Sequence, residues 1–339
     1  MIAGIIAGGR PLFPTTLAAS TYLAVAHNTS TYLSIYKRDG DTFTKLDNPA
    51  AMPTGAGNGA SFSGDGAHLA IAHVGTPFVT IYKRDADTFT KLADPSNLPG
   101  GNGYGAAFSK TGQYLSVSHN TSPYITIYKR GGDTFTKLAN PASLPTSLCY
   151  GVAFSADDAY MAVSQSSTPF VVIYKRSGDT FTRLANPSAL PAGSGNGVSF
   201  SADGTYLSIS HASTPFVTTY KRDGDTFTKL GDPDTLPAGT GNDVSYSSSG
   251  DYLAIANTSS PPISIYKRSG DVFTKLTNPS LLPLGGGVGA AFSIDDAYLS
   301  IGSTGAPYLS IYKRSGDTFT KLANVSLPPA GSANSVSFW

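Results

Sequence analysis

The chain predicts an all-β fold in which seven blades of four short antiparallel strands close into a propeller. Three observations carry this. The first is a phrase, Ile81-Tyr82-Lys83-Arg84 followed by Asp87-Thr88-Phe89-Thr90-Lys91-Leu92, whose copies place a tyrosine at 36, 82, 128, 174, 220, 266 and 312. The spacing is an unbroken 46 residues, and a fixed period of that size marks a repeat architecture. The second is that each unit divides into four short apolar runs separated by turn residues. The third is that the units leave one strand over at the end of the chain, where a ring needs it.

The unit at 196–230 shows the elements in order. Val198-Ser199-Phe200 is a short strand, ended by the turn Ala202-Asp203-Gly204. Tyr206-Leu207-Ser208-Ile209-Ser210 alternates large and small residues with the period of two that strands require. His211 to Pro215 form a turn and Phe216 to Tyr220 a third strand. Asp223-Gly224 is a hairpin dipeptide, Thr226 to Leu230 the fourth strand, and Gly231 to Gly241 a long loop holding Pro233 and Pro237.

Closure follows from aligning the first strands by their aromatic: Phe62, Phe108, Phe154, Phe200, Tyr246, Phe292 and Phe338. The position that would head the first unit is Thr16, which does not fit. The first blade therefore takes three strands from around Tyr22–Ala26, Tyr32–Tyr36 and Thr42–Leu46. Its innermost strand comes from Asn334–Trp339. This assigns 18–339 to the propeller and 1–17 to an N-terminal arm, where Ile2, Ile5, Ile6 and Phe13 form an apolar cluster suited to docking on a partner.

Composition excludes several classes of function. The net charge is +1, and 21 of the 23 basic residues fall at three repeat positions, so they form rings and not a nucleic-acid patch. All 22 acidic residues are aspartate, and seven of them, Asp41 through Asp317, lie three residues after each repeat arginine as compensating turn charges. Cys149 is alone, so no disulfide forms within the chain. No apolar run reaches membrane-spanning length. No zinc spacing, phosphate loop or Ser-His-Asp set stands out, so no cofactor, metal or catalytic residue is expected.

The Phe200-Ser-Ala-Asp-Gly204 turn, the following Tyr-Leu-Ser-Ile-Ser strand and the aromatic closing the third strand resemble the WD40-like propellers over about 320 residues. Tyr-Lys stands where that family has Trp-Asp, and its Gly-His pair is missing, so the hydrogen-bonded tetrad those residues support should be absent. The Tyr-Lys-Arg and Asp-Thr-Phe-Thr-Lys-Leu variant is similar to repeats in bacteriophage and prophage structural proteins. That resemblance implies a face of strand-to-strand turns, ringed by Lys-Arg and Asp-Gly and carrying both termini, and an opposite face of long loops.

Two constellations are candidates for binding. His27, His73, His119 and His211 close the second strand, where other units have Gln165, Asn257 and Ser303. Imidazole is a common metal ligand, but separate blades hold these rings too far apart for one ion, and polar capping of the strand end explains them better. The residue opening each first strand reads Asn58, Tyr104, Tyr150, Asn196, Asn242, Val288 and Asn334. These positions vary on a constant scaffold at the channel mouth and can hydrogen-bond or stack on sugars. The bland alternative is that asparagine starts strands for backbone reasons. The adjacent pairs Asp157-Asp158 and Asp295-Asp296 lie on turns, not across a cleft as glycosidase chemistry needs.

These readings predict a non-enzymatic structural and interaction module. The resemblance makes it a phage virion component such as a tail, fibre, collar or capsid decoration. The arm and turn face would meet other virion proteins, and the loop face a host glycan or protein. A cell-surface or extracellular location is the alternative to the virion. A glycan-binding lectin using the Asn/Tyr positions is the second functional class. A lactonase-type channel enzyme is the third, with the missing glutamate and the small Ala/Ser lining of the first strands standing against it.

Overall fold

A computed structural model describes residues 22–339. The arm at 1–17, with Ile2, Ile5, Ile6 and Phe13, lies outside the described residues. Twenty-eight strands form seven four-stranded antiparallel sheets, and among the described residues there is no helix. Blade 2 is representative: β4 (Gly57–Phe62), β5 (His68–His73), β6 (Val79–Asp85) and β7 (Thr88–Lys91), paired in that order. The third strand runs through Lys-Arg to Asp85, so the basic pair is strand and not turn.

Blade 1 is composite as expected. The strand β28 (Ala333–Phe338) pairs with β1 (Tyr22–His27), which continues into β2 (Leu33–Asp39) and β3 (Thr42–Lys45). Tyr22 and Trp339 exchange both backbone hydrogen bonds, at 2.8 and 3.0 Å. The Trp339 ring lies against Gly66, in the turn between β4 and β5, so this end of the closing strand is on the turn face. A Cβ at Gly66 would fall inside the indole.

The apolar core lies between blades. One cluster joins Ala70, Ala72, Val79 and Ile81 of blade 2 to Phe108, Leu115, Val117, Tyr128 and Phe135 of blade 3, and each neighbouring pair of blades repeats it. Two twisted sheets packed face to face bury the inward residues of both. The repeat tyrosine explains its own invariance. The Tyr82 ring is fully buried and its hydroxyl donates to Ala51 O at 3.0 Å, pinning the loop that enters its blade.

The tetrad expected to be missing is replaced by a clasp between blades. Asp87 of blade 2 accepts from the Tyr22 hydroxyl at 2.6 Å and from Lys37 Nζ at 2.7 Å, both in blade 1. Arg84 of blade 2 lies over the Tyr22 ring, 4.9 Å from its centre, and over Trp339 at 4.2 Å. Aspartates 41, 133, 179, 225, 271 and 317 bind the lysine of the preceding blade in the same way. The turn charges therefore compensate one another from blade to blade. In one clasp His68 stands in for tyrosine, with Nε2 3.0 Å from Asp133.

Candidate functional site in the central channel

The seven first strands line a central channel with a cavity of about 620 Å³. Backbone geometry determines what lines it. In an antiparallel pair, alternate residues turn both N–H and C=O away from the partner strand. Ser109 N donates to Tyr114 O across blade 3, so Ala106, three positions earlier and opposite Val117, belongs to the set facing away. The innermost edge of every blade thus points peptide groups into the channel.

Space beside those groups is set by the preceding residue. Along the chain that position reads Gly59, Gly105, Gly151, Gly197, Asp243, Gly289 and Ser335. A Cβ at Gly59 would stand 2.8 Å from Gly105 Cα and 2.9 Å from Ala106 N. Glycine lets neighbouring first strands approach this closely.

Asp243 is the exception that carries charge, and among the described residues it is the one acidic side chain lining the cavity. Its Oδ1 accepts from its neighbour Val244 N at 2.9 Å and its Oδ2 from Ala290 N of blade 7 at 3.0 Å. On its other side a Cβ at Gly197 would come 2.7 Å from Oδ1. The carboxylate is wedged among three blades, and among the described residues no cation lies against it. Loss of water pushes its pKa up to about 6 against the opposing pull of the two N–H donors. Sequence reading by residue type passed over it, taking the lining as small Ala and Ser. Comparison at the repeat spacing reveals it as the lone carboxylate in a column of glycines.

The candidates at the strand openings converge on the same cavity: Asn58, Tyr104, Tyr150, Asn196, Asn242 and Asn334 all line it. The asparagine amides first serve the ring. Nδ2 of Asn58, Asn196, Asn242 and Asn334 donates to the next blade's Gly103, Gly241, Gly287 and Gly57 carbonyls at 2.9, 2.8, 2.7 and 3.0 Å. The side-chain oxygens of Asn196 and Asn242 take no partner among the described residues. Tyr104 and Tyr150 meet edge to face at 5.5 Å, and burial raises the Tyr150 hydroxyl pKa.

The histidines are not brought together. His27, His73, His119 and His211 are fully buried, each with Nε2 on the hydroxyl of its own blade's third strand: Ser34, Thr80, Thr126 and Thr218, at 3.2, 2.9, 3.0 and 2.9 Å. Burial lowers their pKa values, to about 4 for His119 and His211. No cluster of metal-ligating side chains occurs among the described residues. Cys149 is buried and its thiol pKa is raised by desolvation, which leaves it unreactive. The paired aspartates split. Asp157 and Asp295 face arginines of the next blade, whereas Asp158 and Asp296, expected on exposed turns, are buried and accept backbone N–H groups from the preceding blade.

No protein-family model and no curated protein sequence matches the chain. Solved structures do. A Lactobacillus plantarum protein superposes with a TM-score of 0.76 at 17% identity, covering 95% of this chain and 99% of its own. A Bacteroides uniformis protein described as a candidate 6-phosphogluconolactonase gives 0.75 at 15% identity, with 94% and 99% covered. The periplasmic gluconolactonase of Pseudomonas aeruginosa gives 0.73 at 15% identity, with 94% and 98% covered. At such identities the likeness establishes the fold. It also corrects the expectation of a non-enzymatic phage virion module. Two of these three neighbours are described as lactonases, one of them as a candidate, and none as a phage structural protein. The part of the residue-level objection that took the lining as small Ala and Ser falls with it, because Asp243 and the Asn and Tyr side chains line the cavity; glutamate remains absent.

Proposed function

We propose that the protein is a lactone hydrolase acting in its central channel, with Asp243 as general base. The observation that carries this is a desolvated carboxylate, its pKa raised to about 6, in the central cavity that polar side chains ring on several blades. A base poised near the working pH balances availability against strength, and perturbed carboxyls in clefts are functional candidates. The named structural neighbours support the same chemistry.

In this reaction Asp243 takes a proton from a water molecule as its oxygen adds to the lactone carbonyl carbon. The tetrahedral species collapses with cleavage of the ring C–O bond. The departing alkoxide recovers the proton from Asp243, giving a hydroxy acid and regenerating the carboxylate. The free side-chain Oδ1 atoms of Asn196 and Asn242 and the hydroxyls of Tyr104 and Tyr150 would receive the hydroxyl groups of a sugar-derived lactone.

The test uses a panel of aldonolactones, each followed against its spontaneous hydrolysis, with the wild type and Asp243→Ser. Serine occupies the same repeat position natively at 335, so this variant should fold. Turnover above background that disappears in Asp243→Ser is expected. No acceleration for any lactone, or full activity in the variant, would exclude the proposal.

A further inference from the structure

We infer that an arc of three peptide N–H groups, those of Ala106, Val152 and Val198, is a carboxylate-binding site that holds the acid group of a polyhydroxy acid in the channel. The inference rests on the channel reading above for its location, but not on the hydrolytic chemistry.

The seven inner-edge N–H groups at this level belong to Ala60, Ala106, Val152, Val198, Val244, Ala290 and Val336. Whether each is satisfied depends on the glycine column. Where Ser335 replaces glycine, its Oγ accepts from Ala60 N at 3.2 Å. Where Asp243 replaces it, the carboxylate takes Val244 N and Ala290 N together. Where the column reads Gly59, Gly105 and Gly151, the following N–H groups of Ala106, Val152 and Val198 find no side-chain acceptor among the described residues, and Gly289 leaves Val336 N open in the same way, apart from this run of three. The same rule holds one layer deeper, where Ser337 and Ser61 accept from Phe62 N and Phe108 N at 3.3 and 3.0 Å. A peptide N–H is an obligatory donor, and one left without a partner away from bulk water is costly. Three consecutive blades therefore present open donors to the cavity they line.

Asp243 shows what such donors accept. Its two oxygens bridge the N–H groups of adjacent blades at 2.9 and 3.0 Å. A ligand carboxylate can bridge Ala106 and Val152, or Val152 and Val198, in the same fashion. Rows of backbone N–H groups form anion-binding concavities without any cationic side chain. Among the described residues no lysine, arginine or histidine lines this cavity. The carbonyls of the same residues also face the channel, as do the Asn196 and Asn242 side-chain oxygens. Acceptors thus flank the donor arc and call for hydroxyl groups on the rest of the ligand. A polyhydroxy carboxylate satisfies both sets, whereas a neutral polyol leaves the donor arc half used.

The probes are D-gluconate and its uncharged counterpart sorbitol, titrated by calorimetry and by amide chemical shifts of the full chain. Gluconate should bind at least tenfold more tightly than sorbitol and should move the Ala106, Val152 and Val198 amide resonances most. Gly151→Ser places a hydroxyl where it can take the Val198 N–H, as Ser335 takes that of Ala60. Its Cβ meets Asn196 O at 3.0 Å and Gly197 Cα at 3.2 Å, so neighbours must yield only slightly. Gluconate affinity should fall about tenfold and sorbitol affinity hold. Ser335→Gly is the complementary variant: it uncaps Ala60 and should strengthen gluconate binding, and it serves as the test if Gly151→Ser does not fold. Asp243→Ser separates the two proposals, since it should lose hydrolysis yet keep gluconate. Equal affinity for gluconate and sorbitol, shifts confined to other residues, or indifference to both capping variants would overturn the inference.

Discussion

Asp243 and Ser335 occupy the same position of the repeat and make the same contact, each accepting the peptide N–H of the next blade's first strand, from Ala290 at 3.0 Å and from Ala60 at 3.2 Å. One uses a neutral hydroxyl and the other an acid. The tie between blades therefore does not require a charge, and the charge at 243 has a cost that a serine would avoid.

That cost has a pH signature. The folded-state pKa of Asp243 lies above its unfolded value, near 6 against 3.8. Its contribution to stability is fully present below pH 3.8 and is lost as pH rises through 6. The melting temperature of Asp243→Ser relative to wild type should therefore climb between pH 4 and pH 7. The swing is on the order of 2 kcal/mol, with channel water offsetting part of the full shift. Calorimetry at matched pH values checks it, and a constant offset would show that the carboxyl is not perturbed.

Activity should follow the opposite limb. The base is competent only when ionised, so kcat/KM for lactone hydrolysis above background should rise about tenfold per pH unit below 6 and level off above it. A profile flat from pH 5 to pH 8 would remove Asp243 from the reaction.

The clasp predicts acid unfolding of a different origin. The lysine and tyrosine of the preceding blade hold Asp87, Asp179 and Asp225 below the usual carboxylate range, and Asp41, Asp133, Asp271 and Asp317 are lowered likewise. A depressed pKa gives stability that is present above pH 3.8 and lost as pH falls through the folded value. Seven equivalent groups titrate together, so the melting temperature should drop steeply below pH 4, beyond the smaller changes that Asp243 and the buried histidines bring at higher pH. Asp179→Asn should shrink that acid drop, and an acid limb unchanged in this variant would show that the clasp does not carry it.

Removing residues 334–339 should open blade 1. It deletes the strand that pairs with β1 and the Trp339 ring beneath Arg84, and it exposes an apolar strand edge that invites pairing with other chains. Aggregation or a large fall in melting temperature is expected by light scattering and calorimetry. A monomer that melts like the full chain would contradict closure by this strand.

The ring was legible because one period repeats seven times and turn residues mark every strand. The strand that closes blade 1 followed from Thr16 failing where Phe338 fits. The clasp was half legible. Aspartate three residues after arginine was visible, but its partners are the lysine 50 residues earlier and the tyrosine 65 residues earlier, which only the stacking of twisted blades brings together. The polar mouth was legible as a variable column, Asn58 to Asn334. Asp243, one residue further on, was not singled out, because its meaning lies in backbone groups. No side chain announces an inner-edge N–H, and a glycine that leaves one open looks like any glycine in a turn-rich sequence.

The clasp joining blade 7 to blade 1, Lys313 to Asp41 at 2.7 Å, has the geometry of the six others. The seam is therefore not a weak point of different construction, and the circle has no privileged origin. Joining Tyr22 to Trp339 through a short linker, with residues 1–21 removed, and cutting within any interblade loop should yield a permuted polypeptide with the same shape. Where the polymer starts is a matter of the order in which its residues are joined, and the ring itself keeps no record of it.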